Sequence, residues 1–250
     1  MIMANTIFLQ GSFMSNGFTP IKGAARSLHL QVAREIARRI LSGSLAQGSI
    51  IPGELELCQQ FGVSRTALRE AIKLLNSKGL LESRPKIGTR VRDREYWNFL
   101  DPQLLDWMLG LENTEFAYRE FLALRRAIEP EAAALAARNA TAELRMRLSE
   151  VFQAMMASVS SDGDLSAWAD LDMEFHRLVF LSTENRFYIP FANVLRVMFV
   201  SFIDRASQQS GPLIEEHKAI YDAIMAGNAE KARQANLLLL DKYNQGMQPS

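Results

Sequence analysis

Residues 52–91 read PGELELCQQFGVSRTALREAIKLLNSKGLLESRPKIGTRV, and this stretch decides the fold of the front of the chain. Two short helices with apolar periodicity flank a sharp turn at Phe61-Gly62-Val63. The first, over 54–61, carries Leu55, Leu57 and Phe61. Ser64 caps the second, over 65–78, which buries a stripe of Leu68, Ile72 and Leu75 and stops at Gly79. Residues 80–83 and 89–92 then alternate as a small hairpin. Its tip is Arg84-Pro85-Lys86-Ile87-Gly88, where Gly88 permits a positive φ and the cations can follow a phosphate backbone. Helix, turn, helix and basic hairpin make a winged helix-turn-helix, in which the start of the second helix enters a DNA major groove.

The chemistry of that helix start agrees. Arg65 and Arg69 lie four apart on one face, so both reach the same groove. Guanidinium groups pair with the O6 and N7 of guanine. Ser64 and Thr66 suit phosphates at a helix N-terminus, and Lys86 and Gly88 sit at the wing tip.

The net charge of zero hides an asymmetry. Residues 1–96 hold 14 Lys and Arg against 7 Asp and Glu, whereas 97–250 hold 14 against 21. Only the basic front is suited to a polyanion. The one cysteine, Cys58, excludes an internal disulfide, points to a reducing compartment (the cytoplasm), and reads as a packing residue. No apolar run is long enough to span a membrane. The first 20 residues lack the basic start of a signal peptide, and Met14 offers an alternative start. The expected organisation is a disordered arm over 1–26, the winged domain over 27–92, a linker over 93–100, and an all-α effector-binding and dimerisation domain over 101–246.

Within the winged domain, Leu28–Leu41 places Leu30, Ile36, Ala37 and Ile40 on one face. Arg34, Arg38 and Arg39 fall on the other, either solvated or as supporting phosphate contacts. Residues 48–53 read as a loop. After the linker only helical patterns follow, beginning near Asp101, Thr114, Thr141, Asp164, Asn185, Leu213 and Ala229, with Pro130 able to bend or split the second. Six or seven helices in this length make a bundle, so the chain is mainly α.

Asp172 and His176 share a helix face beside Trp168, Phe175 and Val179. A carboxylate with an imidazole suits a divalent metal such as zinc, nickel or manganese, and His217 on a later helix can close the site. The alternative is a buried Asp172–His176 ion pair with His217 at the surface between Glu216 and Lys218. Arg125 and Arg126 lie in an alanine-rich helix. An arginine there needs an acidic partner, Asp172 or Glu129, or an anionic ligand whose carboxylate it grips through paired hydrogen bonds. Nothing matches a nucleophile elbow, a phosphate loop or HExxH, so no catalytic residue is expected.

On these residues the chain resembles a known family. The segments FGVSRTALREAIKLLNSKGLLESRP and GTRV are similar to the winged helix-turn-helix of GntR-type bacterial repressors. LRRAIEPEAAALAARNAT, DLDMEFHRLVF and EEHKAIYDAIMAGNAEKARQA resemble the FCD effector-binding domain of the FadR subfamily. The linker YWNFLDPQLLDWML resembles that of the galactonate-responsive members. The resemblance implies a homodimeric transcription factor, usually a repressor, on palindromic operator DNA, released by a small carboxylate such as a sugar acid. It places Arg65 and Arg69 at base-reading positions, Ser64 and Thr66 at backbone contacts, and Lys86 and Gly88 at the wing. Leu55 stands where relatives often carry a DNA-contacting arginine. Arg125 matches the effector-clamping arginine. Asp172, His176 and His217 match three of four metal ligands; the fourth, normally histidine, aligns with Leu239, which cannot ligate, with Asn236 about one turn earlier as a weak substitute. Three ligands plus water or an effector carboxylate hold a cation more weakly, and the same residues can bind a polyhydroxy acid with no metal. Sensing of another carboxylate or a fatty acyl-CoA is the alternative; a metal-dependent enzyme fused to a DNA-binding module is the remote one.

Overall fold

A computed structural model of the chain describes residues 18–19, 25–109, 111, 114–160, 165–198 and 212–246. The chain divides into two compact units, 1–36 with 45–96 and 37–44 with 97–250.

Among the described residues the first helix is α1 (Ala25–Leu41), which belongs to the first unit as far as Ile36 and to the second beyond it; α2 (Glu54–Phe61) and α3 (Arg65–Ser77) follow in the first unit. Gly62 ends α2 in the left-handed conformation at φ 66°, and its N–H returns to the Cys58 carbonyl. Ser64 then opens α3, its Oγ accepting from the Ala67 N–H at 3.2 Å. Strands β1 (Leu81–Arg84) and β2 (Gly88–Val91) pair antiparallel, with Leu81 opposite Val91 and Arg84 opposite Gly88. Residues 48–51, expected to be a loop, bond along β2 instead: Ile51 N–H donates to Thr89 O and Val91 N–H to Ser49 O, each at 2.9 Å. That pairing satisfies β2's outer edge. The buried residues include Val32, Ile36, Leu57, Phe61, Leu68, Ala71, Leu75, Leu81 and Val91.

Three details differ from the sequence reading. Leu30 is exposed, and Val32 and Ala33 take the buried face with Ile36. Ala71 is buried in the middle of the α3 stripe, and Ile72 is only partly buried. Most of the arm expected to be disordered lies outside the described residues, but Phe18 is buried against Phe61 with ring centroids 4.5 Å apart. The linker begins with a 3-10 turn, Arg94–Tyr96, tied by Arg94 N–H to Gln47 Oε1 at 2.9 Å.

The second unit is helical. Asp101 caps α4 (Pro102–Met108) through the Leu104 N–H at 2.8 Å, with Pro102 in the first turn, where its missing N–H costs nothing. There follow α5 (Thr114–Asn139), α6 (Ala142–Ser160), α7 (Leu165–Leu181), α8 (189–198), α9 (Ile214–Met225) and α10 (Ala229–Gly246). Pro130 does not split α5; the helix runs through it, forgoing one hydrogen bond. Ala132, Ala133, Ala136 and Ala137 are buried on α5, and their small side chains let α10 pack close along it. The remaining core joins Phe152, Phe175, Leu178, Phe180, Ile220, Ile224, Leu239 and Leu240. The expected continuation of α8 to residue 207 lies outside the described residues. Among the described residues no helix is long and apolar enough to cross a membrane.

Candidate functional site

Two sets of residues, one in each unit, carry the candidate chemistry. In the first unit α3 presents its N-terminal turn to solvent. Ser64, Arg65, Thr66 and Arg69 are all exposed, with the Arg65 and Arg69 side chains 67% and 65% accessible. Glu54, in the first turn of α2, accepts from Arg69 Nε at 3.0 Å and stands 4.0 Å from Arg65 Nε. It holds both guanidinium groups on one side of α3. At the wing, Lys86 and Gly88 are exposed, and both have positive φ, 66° and 110°. The sequence reading foresaw this for Gly88 alone. Leu55 is also exposed on α2. Cys58 is partly buried; burial and then Glu54 raise its thiol above the ordinary range, as suits a packing residue.

Arg34 is exposed, as a solvated face requires. Arg38 belongs to the second unit, where it donates to the Leu109 carbonyl at 3.1 Å. It serves there as a structural donor.

In the second unit Arg125, Asp172, His176 and His217 are all buried and form one cluster. His217 is fully enclosed, which overturns its alternative placement at the surface; the charged neighbours Glu216 and Lys218 obscured its inward-facing position on α9. His217 Nε2 lies 2.6 Å from Asp172 Oδ1, and His176 Nε2 lies 3.5 Å from the same oxygen. Each imidazole is held from behind through Nδ1: His217 to the Leu213 carbonyl at 2.7 Å, His176 to Glu129 Oε2 at 3.1 Å. This second layer directs both Nε2 atoms toward Asp172, as backing groups do around metal-bound histidines. One ligand atom from each of Asp172, His176 and His217 lies within 4.8 Å of the others. Asp172 Oδ1 and His217 Nε2 meet as an ion pair, and neither atom makes a hydrogen bond to a protein group. Two buried ligand atoms that face each other without a hydrogen bond can both turn to a cation, so the residues are suited to holding a divalent metal.

Glu129 is the hub that the sequence reading named only as one possible partner of Arg125. Its carboxylate accepts from Arg125 Nε, from Arg125 Nη2 at 3.3 Å, and from His176 Nδ1. Burial pushes the Glu129 carboxyl up, but Arg125 and His176 outweigh it and bring it down to about 2. Burial lowers His176, and Glu129 with Asp172 more than reverses this, raising it to about 9. Asp172 is opposed by burial but held far below the ordinary carboxylate range by His217 and His176. Tyr243, also absent from the sequence reading, donates to Asp172 Oδ2 at 3.2 Å, and its ring lies 5.6 Å from the Arg125 guanidinium carbon. Leu239, aligned by the resemblance with a fourth ligand, is fully buried. Arg126 is exposed and pairs with Asp241.

Comparison with known proteins fits this pairing of units. Residues 28–91 match the gntR family of bacterial regulatory proteins, and residues 120–242 match the FCD domain. The chain belongs to the GntR family of bacterial transcriptional regulators, in the branch that carries an FCD domain. Among its relatives is the uncharacterized HTH-type transcriptional regulator YieP of Escherichia coli K12, 37% identical over 87% of this chain and 94% of the relative. The galactonate operon transcriptional repressor of the same organism is 28% identical over 82% of this chain and 90% of that protein. A putative L-lactate dehydrogenase operon regulatory protein, also from that organism, is 32% identical over 84% of this chain and 82% of its own length. A solved structure of Lar, described as controlling the Listeria monocytogenes agr system, shares the fold with TM-score 0.55 at 18% identity, covering 91% of this chain and 98% of that one. The relatives are regulators and not enzymes. The winged unit therefore implies operator DNA as a partner, and the FCD domain implies a small-molecule effector.

Proposed function

We propose that the protein is a cytoplasmic repressor, acting as a homodimer, that a small hydroxy acid of the hexonate class, such as galactonate, releases from a palindromic operator. The observation that carries this is the buried cluster of Arg125, Glu129, Asp172, His176 and His217. A buried cluster of a guanidinium, two imidazoles and carboxylates suits a compact, polar anion. It suits a fatty acyl chain poorly, because that chain would leave these groups desolvated and unpaired.

Arg125 grips the carboxylate of the acid in competition with Glu129. Asp172, His176 and His217 would hold a divalent metal, zinc, nickel or manganese, and such an ion would supply positive charge for the oxygens of the acid. On DNA, Arg65 and Arg69 read guanine edges, each good bidentate pair contributing roughly 1–3 kcal/mol of discrimination. Ser64, Thr66, Lys86 and Gly88 hold the phosphate backbone. The acid lowers operator occupancy only if it binds the DNA-incompetent arrangement more tightly, and the stretch 93–100 carries that preference between the units. The relative that regulates a galactonate operon supports the hexonate; the one named for L-lactate dehydrogenase favours a shorter hydroxy acid as the second reading.

Two measurements test the proposal. Duplexes selected from a random library should be shifted by the wild type and lost by Arg65→Ala combined with Arg69→Ala. Retained specific affinity in the double variant refutes the DNA assignment. Galactonate, gluconate or lactate should dissociate the wild-type complex, and Arg125→Ala should abolish that response while binding the same duplex.

A further inference from the structure

Asn236 lies on α10 with 1% of its surface exposed, and neither its Nδ2 nor its Oδ1 hydrogen-bonds to a protein group. Buried amides are nearly always paired, and leaving both ends open destabilises the folded unit. A residue kept at such a cost points to a ligand that completes it.

Its place in the fold says which ligand. Arg126 pairs with Asp241, and Glu131 pairs with Arg233, so α5 and α10 run antiparallel in a fixed register. Between those two pairs, Asn236 falls opposite the turn of α5 that carries Glu129, which holds both Arg125 and His176. Asn236 also shares the buried face of α10 with Leu239, Leu240 and Tyr243, and Tyr243 donates to Asp172. The register therefore sets Asn236 at the level of Glu129, on the same buried face of α10 as Tyr243, which donates to Asp172. A metal would engage only Oδ1 and leave Nδ2 open, whereas a hydroxyl group both donates and accepts and satisfies the two ends together.

We propose that Asn236 is a specificity-determining residue of the effector site, taking a hydroxyl of the bound acid on its amide and so selecting hydroxy acids over hydroxyl-free carboxylates. This rests on the reading of the cluster as a site for a small acid and adds which part of that acid is recognised. A site built to bond a hydroxyl discriminates strongly against ligands lacking one, because its own polar atoms are then left unpaired.

The test is calorimetric titration of the full-length protein with galactonate, gluconate, lactate and hexanoate, each also with Asn236→Leu and Asn236→Ala. Zinc affinity and ligand-free melting temperature are measured alongside. The wild type should bind at least one hydroxy acid more tightly than hexanoate, and both variants should weaken that binding by about tenfold or more. Zinc affinity should stay unchanged and the ligand-free melting temperature should hold or rise, since an unpaired amide has been removed. Unchanged hydroxy-acid affinity in either folded variant overturns the assignment. So does a parallel loss of zinc binding with a fall in melting temperature, which marks a structural role. If the wild type binds none of the acids, the effector reading itself has failed; if it binds and the variants bind equally, only the role of Asn236 has.

Discussion

Glu129→Gln is the most informative single change in the helical unit. Glu129 is 1% exposed and its partner Arg125 is 3% exposed, so the wild-type carboxylate neutralises a guanidinium that water cannot reach. Gln keeps the shape and can still accept one hydrogen bond, but it removes the charge that Arg125 and His176 share. Breaking a buried pair from one side typically costs about 3–5 kcal/mol, because the other ion stays buried and uncompensated. Asp172 also attracts Arg125, which sets the expectation at the lower end, about 3 kcal/mol. For a unit of this size that is roughly a 6–12 °C fall in Tm. The assay is urea unfolding of metal-free protein followed by circular dichroism, on Glu129→Gln, Arg125→Met, and the two combined. Removing both charges leaves no orphan, so the double variant should recover most of the loss and the cycle should show strong coupling. A cost below about 1 kcal/mol for Glu129→Gln, or a double variant less stable than the single, would refute the account of Glu129 as the hub.

His176, raised to about 9, carries a proton at neutral pH in the metal-free protein and must release it before Nε2 can ligate. Zinc affinity should therefore climb about tenfold per pH unit as pH rises toward 9 and then level off; a flat profile from pH 6.5 to 8.5 contradicts it. Glu54→Gln removes a negative charge beside Arg65 and Arg69. Affinity for nonspecific duplex should rise and the salt dependence should steepen by about one phosphate contact, read from binding at several salt concentrations. An unchanged slope means that Glu54 has no electrostatic part in docking. Gly88→Ala forces a side chain into φ 110° and brings its Cβ within 3.3 Å of Ile50 Cγ2. It should weaken DNA binding while far-UV dichroism of the helices stays intact.

The winged unit was largely legible in the sequence because its signals are local. Gly62 ends one helix, Ser64 starts the next, and the two-residue alternation of the hairpin surrounds a Gly that tolerates positive φ. Each of these acts within a few residues of itself. What escaped there was non-local: residues 48–51 bonding along β2, and Phe18 reaching Phe61 across more than forty positions. The Asp172–His176 pair was legible for the same local reason, since four residues make one helical turn.

The rest of the buried cluster was decided by packing. His217 has charged neighbours on both sides and reads as a surface residue until α9 is set against α7 and the ring proves to be enclosed. Glu129, Asn236 and Tyr243 carry no motif; they matter only because α5 and α10 lie antiparallel in a particular register. Sequence by itself therefore determined which helices form and, details of α1 and α3 apart, which of their faces are apolar, because propensity and periodicity act along the chain. Which polar groups meet inside was left to tertiary structure, because a buried charge takes whatever partner the neighbouring helices bring within reach.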